Sequence, residues 1–183
     1  IFLAVGEVAN MIGVAVATPI TFKLGKKGTF LWSLFALIAL CIAFYYVPTS
    51  GNGAYWTLLV LQILVCILTG IVSPLVWSMY ADISDYAELK FKTASTGLIF
   101  SSSSMAQKFG GAFGSAILLW ILSMIGYDTA ESAVQTSGTL VGLRSMISWI
   151  PALGAIISLI AIMFYPLTDK MMKDIQSVLA ERR

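Results

Sequence analysis

Long apolar runs separated by short polar clusters dominate the chain, and five of them are long enough to matter. They cover about residues 1–22, 29–47, 55–79, 97–125 and 143–165. A helix crossing the hydrocarbon core of a bilayer needs roughly 20 mostly apolar residues, and each run meets that length. Alternation of apolar and polar positions, the mark of a barrel strand, is absent, and a lone strand in lipid would leave its backbone groups unpaired. The pattern therefore predicts an all-α integral membrane protein with five transmembrane helices in residues 1–165, followed by a tail at residues 166–183.

The connections differ in charge. One set holds Lys23, Lys26 and Lys27, then Lys90 and Lys92, then Lys170, Lys173, Arg182 and Arg183 in the tail; the opposite set holds only Arg144, at the edge of the last run. Lysine and arginine accumulate on the cytoplasmic side of membrane proteins, so the basic connections and the C-terminus are expected in the cytoplasm. The first residue then lies at the far side, as an odd number of crossings requires.

The runs are not equally apolar. The second has Ser33 as its only hydroxyl between Leu31 and Phe44, and the fifth carries scattered serines; both read as peripheral helices. In the third, Gln62, Cys66, Thr69, Ser73, Trp77 and Tyr80 recur at helical steps of 4, 3, 4, 4 and 3 and stack on one face. In the fourth, Ser101, Ser104, Lys108, Gly111 and Ser115 form a similar stripe, and in the first Glu7 and Asn10 share a face above Thr18 and Thr21. Three polar stripes imply either a shared water-accessible cavity or close helix packing, which also selects Ser, Thr and Gly. For the hydroxyls and glycines both readings stand open; for the Lys, Glu, Trp and Gln members the cavity is favoured.

Lys108 stands about 10 residues inside its run, roughly 15 Å from the cytoplasmic end and so near the bilayer midplane. An ionisable group at that depth costs from about 2.5 kcal/mol upward and faces a cavity or a partner, which makes it a candidate for binding or coupling. The alternative is an interhelical ion pair, with Glu7 as the acid able to reach it. Ala106, Gly110 and Gly114 form a small-residue row, and Pro19, Pro74 and Pro151 permit bends within runs. Past the third run, Asp82, Asp85 and Glu88 are spaced three apart on the side of Lys26 and Lys27. They read either as a solvated helix end or as an ion-pair cluster that closes the cytoplasmic side in one state.

Composition sharpens this. The 183 residues are 58% apolar and 11% charged, against about 25% charged in soluble domains, with a mean hydropathy of +0.90. The formal net charge of +2 gives no field for nucleic acid, and the absence of His removes the usual zinc ligand and general base. No nucleophile–base pair or metal cluster is visible, so no enzyme, cofactor or metal site is expected. Cys41 and Cys66 lie in apolar runs and read as reduced. The first run lacks a basic leader and opens inside a hydrophobic segment, as expected for part of a longer chain.

Three boxes carry a family likeness: Ala81-Asp82-Ile83-Ser84-Asp85-Tyr86-Ala87-Glu88, Gly97-Leu98-Ile99-Phe100-Ser101 and Gln107-Lys108-Phe109-Gly110-Gly111. With the KLGKKG loop and the closing GLRSMISWIPALGA and FYPLTDKMMKDI, they resemble the glycoside–pentoside–hexuronide:cation symporters, the melibiose-carrier-like branch of the major facilitator superfamily. The resemblance spans essentially the whole chain. It implies helices eight to twelve of a twelve-helix transporter of the inner membrane, with the N-terminal half as the missing partner. It also implies a sugar or glycoside substrate carried with Na⁺ or H⁺ by alternating access, the cation site lying mostly outside this chain.

By that likeness Lys108 and Ser104 belong to the sugar and coupling region, Asn10 faces the cavity, and Asp82, Asp85 and Glu88 form a cytoplasmic gate that Lys26 and Lys27 would close. Gln107 and Trp77 supply the amide and aromatic groups that sugar recognition needs, although Gln107 sits about 100° round the helix from Lys108. The competing readings are a major-facilitator drug or organic-anion antiporter, with a more aromatic cavity, and a non-transporting scaffold subunit.

Overall fold

A computed structural model describes residues 2–47, 53–93, 95–128 and 135–182. These form six helices and, among the described residues, no strand: α1 (Phe2–Leu24), α2 (Lys26–Tyr46), α3 (Ala54–Phe91), α4 (Thr96–Met124), α5 (Ser137–Met163) and α6 (Asp169–Arg182). Five are long and apolar enough to cross a membrane, α1 to α5. They fall on the five predicted runs, with three informative differences at the ends.

α2 begins at Lys26, so the lysine pair sits in a first helical turn and Gly25 alone joins α1 to α2. α3 has 38 residues and continues through the acidic box. At 1.5 Å per residue it is about 57 Å long, nearly twice the hydrocarbon thickness of a bilayer. No Gly or Pro interrupts residues 80–91, and the helix stops only at Lys92, whose N–H reaches the Glu88 carbonyl at 2.9 Å. α5 starts at Ser137, before the predicted boundary, because the Thr136 hydroxyl accepts the Thr139 N–H at 3.2 Å and caps it.

The tail is helical as well. Thr168 opens α6 with its hydroxyl accepting the Met171 N–H at 3.4 Å, and Leu167, Met172, Ile175 and Leu179 bury a stripe against Ile83, Tyr86 and Leu89 on the α3 extension. Within α6, Met172, Ile175 and Leu179 are three and four apart, the spacing that lets a polar tail fold onto a neighbour.

The main core joins Ala17, Phe30, Leu34, Ile71, Leu75, Met79, Ala155 and Ile162, from α1, α2, α3 and α5. α1 and α3 cross closely enough that a Cβ at Gly70 would collide with the Asn10 carbonyl, and one at Gly13 with the Ile67 carbonyl. Only glycine allows that approach, the usual device for packing helices in lipid. α2 and α5, expected at the periphery, pair with each other: fully buried Ser148 donates to the Cys41 carbonyl at 2.6 Å. One turn further along that seam the Arg144 guanidinium donates to the Val47 carbonyl and lies 5.5 Å from the Tyr45 ring. α4 contributes no buried residue. It touches α3 through Phe100 near one end and α5 through Ile125 near the other.

Candidate functional site

Two regions hold the residues singled out by the sequence. The first is the exposed middle of α4. Ser101, Ser104, Met105, Lys108 and Phe109 line a shallow concavity of about 360 Å³. Ser101, Ser102 and Ser103 turn their hydroxyls back onto carbonyls of their own helix, at 3.1, 3.0 and 2.7 Å. Ser104 and Lys108 make no hydrogen bond or ion pair with a described residue, so a hydroxyl and an ammonium are offered side by side, one turn apart. Lys108 lies twelve residues, about 18 Å, from Thr96, well inside the span. Gln107 is exposed on the adjoining face.

Trp77, 39% exposed on α3, stacks on Phe100 of α4 with ring centroids 6.1 Å apart and planes 13° from parallel. Tyr80 meets both rings edge-on, at 5.8 and 6.4 Å. Phe100 is two helical turns from Lys108 on the same side, so this aromatic cluster sits on the path between the lysine and the basic end of the bundle. Phe100 was not among the expected site residues. Its place on the Phe100-Ser104-Lys108 row of fourfold spacing was the signal available.

The α1 stripe goes elsewhere. Asn10 donates its amide to the Cys66 carbonyl and the Thr69 hydroxyl, both at 3.3 Å, and Gln62 donates to the Cys66 sulfur at 3.3 Å. Those polar positions of α1 and α3 face each other across the close crossing, which is the packing alternative. Asn10 keeps its carbonyl oxygen for other partners. Glu7 is exposed on α1, and no Glu7–Lys108 ion pair forms, because α1 lies on α3 while α4 stands off to another side.

The second region is the basic end. Lys26 places its ammonium 2.7 Å from both Asp82 oxygens. Asp82 is 3% exposed, so this is a largely buried pair, fixed by two charge-assisted bonds. The backbone N–H of Lys26 donates to Asp169 at 3.3 Å. Lys27 was expected to face the acids; instead its ammonium donates to the carbonyls of Met163 and Tyr165, at 3.2 and 2.6 Å, and caps the end of α5. It lies about 100° round α2 from Lys26, which points it at α5 rather than α3. Asp85 and Glu88 are half-buried on the following turns of α3, and Lys90 lies 5.5 Å from the Tyr86 ring. Asp169 and Tyr165 escaped the sequence reading, since nothing local announces that the tail returns to the bundle.

Comparison with known proteins decides the family. The pattern of MFS/sugar transport proteins matches residues 1–169. The chain belongs to that family. Among curated members it is 33% identical over 181 residues to the inner membrane symporter YicJ of Escherichia coli (strain K12), covering 98% of this chain and 38% of that protein. A glucuronide carrier protein homolog of the same organism is 30% identical over 184 residues, covering 96% of this chain and 38% of its own length. An isoprimeverose transporter of Lactiplantibacillus pentosus is 33% identical over 167 residues, covering 88% and 34%. The chain thus spans well under half the length of these relatives. No solved structure gives a significant match. Membership in this family, with five candidate spans, makes the chain part of a multi-pass membrane protein.

Proposed function

We propose that the chain is the C-terminal part of a secondary transporter that moves a sugar or glycoside together with Na⁺ or H⁺ by alternating access. One observation carries the reading: among the described residues Lys108 and Ser104 have no hydrogen-bond or ion-pair partner, and they lie adjacent deep in an apolar span, on the helix that contributes no buried residue. A cation held at that depth against a cost of about 2.5 kcal/mol or more faces a cavity or a partner, which suits a ligand-binding or coupling role. Sugars are uncharged polyols, and an ammonium with three donors beside a hydroxyl is suited to their oxygens. The relatives' names, a glucuronide carrier homolog and an isoprimeverose transporter, point the substrate class the same way.

In this reading residues 1–165 form the membrane-embedded C-terminal half and residues 166–183 a cytoplasmic tail, with the basic end of the bundle in the cytoplasm. Lys108, Ser104 and Gln107 bind substrate from α4, and Trp77 with Phe100 forms an aromatic floor. Lys26 and Asp82, flanked by Asp85 and Glu88, close the cytoplasmic side in one state and part in the other, while Lys27 fixes the α5 end beside them. The N-terminal half of the same transporter supplies the other wall and most of the cation site. The test is uptake of labelled glycosides into vesicles bearing the full-length protein. Uptake should require an imposed Na⁺ or H⁺ gradient and collapse in Lys108→Ala; gradient-independent uptake, or full uptake by the variant, would sink the proposal.

A further inference from the structure

We infer that Asp169 is a positioning residue that holds the α1–α2 turn so that Lys26 meets Asp82, which makes the tail helix α6 part of the cytoplasmic gate. The inference rests on the reading of the Lys26–Asp82 pair as a gate. Its basis is the division of labour at Lys26. The side chain is committed to α3, with the ammonium 2.7 Å from both Asp82 oxygens, while the main chain of the same residue is committed to α6, its N–H donating to Asp169 at 3.3 Å. Lys26 is the first residue of α2, so that N–H has no partner inside its own helix, and the carboxylate lies at the positive end of the helix dipole.

The seat is shaped for this carboxylate. Gly25 has φ 74° and ψ 164°, a conformation open to glycine, and the second Asp169 oxygen occupies the space a Cβ would take. The Asp169 side chain is free to reach out of α6 because Thr168 caps that helix, accepting the Met171 N–H at 3.4 Å with its hydroxyl. A second tie runs in parallel: Lys27 donates to the carbonyls of Met163 and Tyr165, so the start of α2 is fastened to the α5–α6 junction at two successive residues. α6 itself is seated on the α3 extension by Leu167, Met172, Ile175 and Leu179 against Ile83, Tyr86 and Leu89. Both members of the Lys26–Asp82 pair are therefore referenced to one element: Asp82 through the α3 surface under α6, and Lys26 through Asp169. Loss of the Asp169 tie therefore releases Lys26 while the α3 surface that carries Asp82 stays held under α6.

The test uses the full-length transporter with its native cysteines replaced and a Ser101→Cys reporter on α4, alkylated from the cytoplasmic side in inside-out vesicles with a membrane-impermeant maleimide. Asp82→Asn should raise the alkylation rate by opening the gate. Asp169→Asn should raise it by about two- to fivefold, the factor a carboxylate at a helix N-terminus is worth. Asp169→Glu, which keeps the charge, should stay near the parent rate. The Asp82→Asn/Asp169→Asn double variant should be no faster than Asp82→Asn alone, a non-additivity that general loosening of the tail does not produce. A parent-like rate in Asp169→Asn beside a raised rate in Asp82→Asn would overturn the inference and leave the gate standing, and an additive double variant would do the same. A parent-like rate in Asp82→Asn would overturn the gate and the inference together. Should Asp169→Asn not give monodisperse protein, Asp169→Ser, which keeps an acceptor oxygen, takes its place with the same outcomes.

Discussion

α2, α5 and α4 are all apolar enough to cross a membrane, α4 the least so, and they end in opposite conditions. α2 and α5 are stitched together by the Ser148–Cys41 bond and by Arg144 on the Val47 carbonyl near one end, and by Lys27 on the Met163 and Tyr165 carbonyls at the other. The polar groups named there each meet a backbone carbonyl of the partner helix or of the segment that follows it. α4 has polar residues of the same kinds, yet none of its residues is buried, and Ser104 and Lys108 are left facing outward. The difference teaches that in this chain a polar position in a span is structural where a neighbouring backbone carbonyl meets it. It is a candidate for function where the helix stands off from its neighbours.

The sharpest ways to break that contrast are substitutions on each side. Gly70→Leu should be the most damaging, because it drives a side chain into the Asn10 carbonyl. Overpacking costs about 3 kcal/mol at the upper end of its usual range, so the expected result is loss of monodisperse full-length protein on gel filtration. Lys108→Ala should leave that profile and the thermal midpoint unchanged, while gradient-driven uptake falls by about 10- to 100-fold, the scale of one charge-assisted hydrogen bond. A thermal loss in Lys108→Ala would show the lysine to be structural after all.

Lys26→Met leaves Asp82 buried without its partner. A fully buried broken pair costs about 3–5 kcal/mol, and the partial exposure of Lys26 brings the expectation to about 2 kcal/mol in thermal unfolding, part of it regained in Lys26→Met/Asp82→Asn. Ser148→Ala should cost least, about 0.6 kcal/mol, the average for a hydrogen bond between helices in a membrane. It should leave uptake untouched, and an uptake defect there would erase the contrast between the scaffold pair and α4.

How far the sequence reached varies residue by residue. The five spans, the basic end and the placement of Lys108 in mid-span could be read directly, since run length and charge position are properties of the chain itself. The face of α3 carrying Gln62, Cys66 and Thr69 was also legible as a polar stripe, but not its use. Packing against α1 depends on two glycines meeting two carbonyls, which no spacing along one strand of sequence reveals. Lys26 and Lys27 looked equivalent in sequence and are not, because a rotation of about 100° between neighbours sends one to an acid and the other to a helix end.

The sequence alone thus determined the solvent, the number of crossings, the clustering of basic residues at one end and the single cation in the middle of α4. Each follows from the transfer energy of residues taken one at a time or in runs, and that energy does not depend on what they touch. The tertiary structure decided the pairing of α2 with α5, the fate of the α1 stripe, the separation of Glu7 from Lys108 and the return of Asp169 to the α1–α2 turn. Those depend on crossing geometry and on one glycine with positive φ, and they bring together residues as far apart as 26 and 169.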